Sequence, residues 1–278
     1  MSSEMSPQTG QRPMMVAPLL RGVYSGNTGA VLERGFRVIA GQNWAILASG
    51  FFEPVFYLLA MGIGLGSLLD AVPGPGGVPM TYAAYLAPAL LATSAMNGAI
   101  YDSTWNVFFK LRLSRLYEAM MQTSLGPMDI ALGEIALALF RGFLYATGFL
   151  VVITGMGLVT SWWGVLMVPA AVLVAAGFAS VGMAVTSFLK TFQHMDIITV
   201  ALLPMFLFSA TLYPIEIYPA ALQAMIMALP LWHAVELMRQ LSVGYFDAST
   251  PVHAVYFVVM TALGLCATTL RLRWLFLR

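Results

Sequence analysis

A chain of 278 residues in which 60% are hydrophobic and only 9% are Asp, Glu, Lys or Arg cannot cover a water-facing surface, since soluble domains carry roughly 25% charge. Mean hydropathy is +0.83, net charge is only +1, and the placement of the 13 basic residues does not suggest a nucleic-acid face. The single cysteine, Cys266, excludes an internal disulfide and a multi-cysteine metal site, and reads as a small apolar residue of a membrane helix.

Residues 1–26 are polar, contain Pro7, Pro13 and Pro18, and lack the apolar core of a signal peptide, which predicts a disordered cytoplasmic tail. Residues 28–43 set Leu32, Phe36 and Ile39 on one helical face and Glu33, Arg34 and Arg37 on the other, as in a helix lying in the inner membrane interface. A bilayer core about 30 Å thick needs roughly 20 apolar residues per helical span. Counting uncharged stretches on that basis predicts an all-α membrane protein with spans at about 45–69, 81–106, 131–155, 163–189, 197–213 and 250–271. Gly62 and Gly66 of the first span form a small-residue packing surface. Glu53 faces an aqueous path, anchors a neighbouring helix or snorkels to the interface. Asp102, ending the second span, reads as an interfacial charge or cap before it reads as a substrate contact. Glu134 and Arg141, seven residues apart on one face of the third span, read as partners in a structural ion network.

The segment from Phe108 to Glu134 is the most charged part of the chain. Leu113, Leu116 and Met120 recur at helical spacing, Arg112, Arg115 and Glu118 make a more polar face, and Gly126-Pro127 stops the pattern. This predicts an amphipathic helix at about 109–122, suited to docking in a groove on a cytoplasmic partner.

Basic residues set the orientation. Arg12, Arg21, Arg34 and Arg37, then Lys110, Arg112 and Arg115, then Lys190, and finally Arg271, Arg273 and Arg278 all belong to the cytoplasmic side by the positive-inside rule. An even number of crossings must then separate Lys190 from Arg271, although three apolar stretches are available there. The stretch at 214–241, broken by Pro219 and Pro230, is therefore read as a re-entrant hairpin entered from outside. Tyr213, Pro214, Glu216, Pro230, His233, Glu236 and Arg239 mark it, and Glu236 and Arg239 can pair on one helical face. Both termini fall in the cytoplasm.

Several chemistries lack a signature. No G-x-x-x-x-G-K-[ST] occurs, so the chain is not an enzyme on its own and hydrolyses no ATP by a P-loop. His194, His233 and His253 lie on different segments, and neither H-E-x-x-H nor G-x-S-x-G is found.

Three stretches resemble the membrane subunits of ABC-2-type exporters, nearest the branch of nodulation protein J and daunorubicin resistance. They are EPVFYLLAMGIGLG at 53–66, YLAPALLATSAMNGAIYDSTWNVFF with LYEAMMQTSLGPMDIALGE across 85–134, and FLFSATLYPIEIYPAALQAMIMALPLWHAVELMRQLSVG at 206–244. The likeness runs from about residue 30 to the C-terminus and makes 27–278 one ABC-2 transmembrane domain. It implies two permease chains, identical or related, on two cytoplasmic ABC ATPase subunits that bind the ATP and Mg, with no cofactor in this chain. Arg112, Leu113, Arg115, Leu116, Tyr117, Glu118 and Met121 would then form the coupling helix. Spans one, two and five would line the path, with Glu53, Phe56, Tyr57, Asp102, Phe206 and Phe208 as candidates. The branch exports acylated chitin oligosaccharides, glycolipids and amphiphilic drugs, so the expectation is an inner-membrane exporter of such a cargo. An ion-coupled carrier or channel for a small amphiphile would need a continuous polar ladder, which the separated acids do not form in sequence. A membrane-embedded transferase would need clustered His, Asp or Ser.

Overall fold

The structure, a computed structural model, describes residues 24–41, 52–69 and 71–276. Most of the predicted tail at 1–26 and the start of the span at 45–69 lie outside the described residues. In chain order the elements are α1 (Thr28–Ala40), α2 (Phe52–Leu68), a two-stranded antiparallel ribbon of β1 (Val72–Pro73) and β2 (Pro79–Met80), α3 (Tyr82–Leu113), α4 (Leu116–Met121) and α5 (Pro127–Gly155). There follow α6 (Trp162–Phe188), α7 (Phe192–Leu207), α8 (Ala220–Met227), α9 (Pro230–Val243) and α10 (Ser249–Phe276). The chain is thus mostly helical, and α3, α5, α6 and α10 are long and apolar enough to cross a membrane. The pair α8 and α9, bent by 85° at its break, would supply a fifth crossing if taken as one span, and α2 and α7 are shorter apolar helices.

α3 is the hub. In its most apolar window 78% of residues are buried, against 28% in both α5 and α10, and it packs on α2, α5, α6 and α9. The sequence explains this. Ala83, Ala84, Ala87, Ala89, Ala92, Ala95 and Ala99 leave α3 thin enough for neighbours on every side, and lipid gives helices no hydrophobic reason to associate except through such close packing. Thr81 starts the helix by accepting a hydrogen bond from the Ala84 amide at 3.3 Å. Gly62 and Gly66 do face a neighbour, as their spacing predicts: a methyl group at either would come within 3.4 to 3.5 Å of Ala83 or Tyr82. On the far side α6 crosses α10 where Gly264 lies against Ser180. A methyl there would stand 2.7 Å from the Ser180 backbone, and Thr268 donates to the Ser180 carbonyl at 3.3 Å.

Several predicted boundaries move. The second span runs on to Leu113 instead of stopping at 106, through π-helical turns at Asp102–Asn106 and Phe109–Leu113. The predicted helix at 109–122 is consequently cut in two. Arg112 and Leu113 belong to α3, Arg115 turns the chain in a left-handed conformation (φ 48°), and α4 keeps only six residues. The fifth apolar helix spans Phe192–Leu207 in place of 197–213, because residues 208–213 form a turn in which Ala210 has φ 52°. The last helix extends to Phe276, five residues past the predicted end. α1 forms as predicted but buries Val31 and Gly35 against α5, whereas Phe36 stays exposed and meets Phe140 edge-on at 4.9 Å.

Candidate transport cavity

An α-helix sets residues eight apart about 80° out of line. The two π-helical turns each take up an extra residue, and they bring Asp102, Asn106 and Lys110 into one row on α3. Asn106 Nδ2 donates to Asp102 Oδ1 at 2.7 Å within that row. α5 runs alongside and completes it. Arg141 Nη1 meets Asp102 Oδ1 at 2.6 Å, and Lys110 Nζ meets Glu134 Oε2 at 2.5 Å. Glu134 and Arg141 therefore do not pair with each other, as their spacing suggests; each takes its partner from α3. The physical reason is reach, since residues seven apart on one helix lie about 10 Å apart along its axis. A charge inside a membrane bundle costs several kcal/mol unless paired or wet, and here each charge has an opposite one across the helix interface.

Above this row lies a cavity of about 810 Å³ walled by α2, α3, α5 and α7. Glu53 and Tyr57 face it from α2, Asp102 from α3 and Phe206 from α7, with Tyr57 and Phe206 edge to face at 6.0 Å. Phe56 points away and is 63% exposed, and Phe208 lies beyond the end of α7, so neither lines the cavity. The wall also contains Arg141, expected only in an ion network, and residues that the sequence reading passed over: Thr93, Ser94, Asn97, Tyr101 and Trp105 on α3, Tyr145 on α5, and Thr199 on α7. A signal existed for the α3 group. Thr93, Ser94, Asn97 and Tyr101 recur within nine residues of an otherwise apolar stretch, on one side of a helix. A second, smaller cavity of about 120 Å³ touches Asp102, Lys110, Glu134 and Arg141 from below, together with Arg34 of α1.

The segment predicted to dock on a partner lies at the end of α3. Tyr117 and Met120 are buried and fix α4, while Arg115 and Glu118 are exposed. Leu113, expected on the apolar face, is 61% exposed, Leu116 and Met121 are half-buried, and Arg112 Nε caps the end of α6 at the Leu189 carbonyl, 3.2 Å away. Just beyond α4, the fully buried Asp129 accepts from the amides of Ser25, Asn27 and Gly126 and from Thr28 Oγ1 at 2.8 to 3.0 Å. One carboxylate thereby caps the start of α5 through the Gly126 amide and ties the start of α1 to it. Sequence reading missed it, because an acid at the start of a helix is ordinarily only a local cap.

At the opposite end of α3 the predicted hairpin is a bent pair. Arg239 of α9 is buried, donates to the carbonyls of Ala210 and Thr211 at 2.7 and 3.0 Å and to that of Tyr85 at 3.3 Å, and lies 3.6 Å over the Tyr85 ring. It does not pair with Glu236: no ion pair joins them among the described residues. Tyr82 and Tyr85 hydroxyls donate to Leu212 and Ala210, so the turn at 208–213 is held from both sides. Pro230 opens α9, and Pro214 leads into a short turn in which Glu216 is exposed, as is Tyr213. His233 and His253, far apart in sequence, meet Nδ1 to Nδ1 at 2.8 Å, with Tyr256 stacked on His233. No group of three or more metal-ligating side chains occurs among the described residues.

The family model described as "ABC-2 type transporter" matches residues 27–243, from the start of α1 to the end of α9. The chain belongs to the ABC-2 type transporter membrane family. Similar proteins include Nodulation protein J of Rhizobium leguminosarum bv. viciae, 31% identical over 244 residues that cover 84% of this chain and 92% of the relative. The protein of the same name from Rhizobium leguminosarum bv. trifolii is 32% identical over 88% of this chain and 93% of its own length. That of Rhizobium meliloti (strain 1021) is 31% identical over 77% and 80% respectively. This ABC-2 chain is thus a multi-pass membrane subunit of an ABC transporter, and the matched region contains both the cavity and the docking segment.

Proposed function

We propose that this chain is the permease subunit of an ATP-driven exporter in a bacterial inner membrane, moving a lipid-linked saccharide, glycolipid or amphiphilic drug out of the cytoplasm or inner leaflet. In this reading α2, α3, α5, α6, α7 and α10 make six crossings with both termini cytoplasmic, and α8 with α9 forms a re-entrant hairpin on the outer side. Two ABC ATPase subunits bind the ATP and Mg. A second permease chain, identical or related, completes the path. α4, with Tyr117 and Met120 as its anchors and Arg115 and Glu118 exposed, is the element that receives the ATPase.

One observation supports this reading above the others: the row Asp102, Asn106, Lys110 with Arg141 and Glu134 joins the cavity wall to the segment just before α4. Motion of α4 then has a helical, charged route to the cavity instead of a loop. Purification tests it. An ATPase subunit should co-purify with the tagged chain, and Arg115→Ala with Glu118→Ala should uncouple ATP hydrolysis from efflux while leaving the chain folded. Failure of any ATPase to co-purify, or full efflux from the double variant, overturns the proposal.

The same row is the polar ladder that an ion-coupled carrier would need, and the tertiary structure assembles it from residues that look isolated in sequence. All four of its charges are paired, however, which leaves no free carboxylate in the row to pick up a proton. Efflux by the exporter should persist when the proton gradient is collapsed and ATP is supplied.

A further inference from the structure

The cavity walls narrow the class of cargo, on the assumption that the permease reading holds. Its ionisable charges are Glu53, Asp102 and Arg141. Asp102 and Arg141 neutralise one another at 2.6 Å. Glu53 has no ion-pair partner among the described residues, so among them it is the one wall charge left unpaired. The rings of Tyr57, Tyr101, Trp105 and Tyr145 share that wall, and aromatic faces attract a cation through their quadrupole, most strongly where water is excluded. Leu202 and Leu203 supply an apolar strip on the α7 side. An anionic head group would meet Glu53 and find the only guanidinium already engaged. A neutral one would leave the Glu53 carboxylate uncompensated as it displaced water from the cavity.

We propose that the cavity takes an amphiphile bearing a cationic amine, with the ammonium group between Glu53 and the surrounding aromatic faces and the apolar tail along α7. Of the cargoes named above, this selects amino sugars with a free or alkylated nitrogen and amine-containing drugs over acylated or anionic forms.

The test uses the full chain in nanodiscs, with its ATPase, and three probes that share a dodecyl tail and a glucoside ring: the 2-amino compound, its N-acetyl derivative and its N,N,N-trimethyl derivative. Calorimetry should give a Kd about tenfold lower for the amine and the trimethyl compound than for the neutral N-acetyl compound. Glu53→Gln should remove that preference, by weakening the two cationic probes and relieving the penalty on the neutral N-acetyl compound, and Trp105→Leu should weaken the trimethyl compound most. Equal binding of all three by the unaltered chain, binding of none, or a preference that survives Glu53→Gln overturns the inference. The unaltered chain with the trimethyl probe decides the matter even if Glu53→Gln fails to fold, because that probe keeps the charge and lacks an N–H donor. The two readings fail separately: a chain that prefers the amine but shows no nucleotide-driven efflux refutes the permease, and one that exports all three probes alike refutes the cation site.

Discussion

At one end of α3, Asp102 and Lys110 meet Arg141 and Glu134, carboxylate to cation across a helix interface. At the other, Arg239 lies over Tyr85 and is satisfied by three backbone carbonyls. The difference follows from what each end must do. Carbonyls in a turn cannot move without unfolding it, so Arg239 acts as a fixed joint that locks residues 208–213 to α3 and α9. Side-chain ion pairs can separate and re-form as helices slide, and the pairs lie beside the cavity and next to α4. Buried charge of the first kind fixes a turn in place, whereas the second kind leaves both partners on side chains.

That contrast can be broken most severely at Arg239. Arg239→Met takes the guanidinium from the Ala210 and Thr211 carbonyls of a buried turn and from the Tyr85 carbonyl of α3, and should destabilise the chain by about 4 kcal/mol, measured as loss of monodisperse protein and a lower Tm in detergent. Arg239→Lys keeps the charge but loses the fork and should recover only part. At the other end, Asp102→Ala leaves Arg141 buried and unpaired and should cost about 3 kcal/mol. Exchanging the two, Asp102→Arg with Arg141→Asp, should restore at least half, because side-chain pairs depend on mutual charge and not on a fixed backbone. A double-mutant cycle read by thermal unfolding decides it, and additivity of the two single effects would show that the pair is not coupled.

A third change separates local tethering from global stability. Asp129→Ala removes the acceptor of four hydrogen bonds and should cost about 2 kcal/mol. Hydrogen exchange should rise in residues 24–40 and around α4 while α6 and α10 stay protected. The smallest expected effect lies in the loop before α10. There Ser249 Oγ, followed by the Ser249 and Thr250 amides, donates to the exposed Asp247 carboxylate and holds its pKa below the usual 3.8. A depressed folded-state pKa means stability present above the unfolded value and lost as pH falls through the folded one. Wild-type Tm should therefore drop on acidification below pH 4 by slightly more than that of Asp247→Asn, and identical pH profiles would show that the cap contributes nothing.

Much of this architecture was legible beforehand. The long apolar helices α3, α5, α6 and α10 overlap stretches that hydropathy picked out, though several ends move, and Gly62 with Gly66 marks a true helix contact. Pro230 marks the break of the bent pair, whereas Pro219 marks the start of α8. The cavity was legible in part: Glu53, Tyr57, Asp102 and Phe206 reach it, whereas Phe56 faces away by one helical step and Phe208 falls past a helix end. Pairing was not legible. Glu134 with Arg141, and Glu236 with Arg239, are reasonable partners by sequence spacing on a single helix, yet each cation prefers a group from another element. Spacing within one helix says nothing about which neighbour offers a better acceptor. The extension of α3 into the docking segment was hidden for a similar reason, since π-helical turns leave no hydropathy signature.

The sequence by itself determined the class of this protein: too little charge for water, apolar stretches of bilayer length, and no P-loop motif. These are properties of composition and period, set by the solvent and independent of which helix touches which. Tertiary structure alone decided where the buried charges find partners and which of three scattered histidines meet. It also decided how one carboxylate, Asp129, joins the leader to the start of α5, and which wall residues enclose a cavity. Those outcomes depend on distances of a few ångströms between segments remote in sequence, where pairwise electrostatics and packing act and periodicity carries no information.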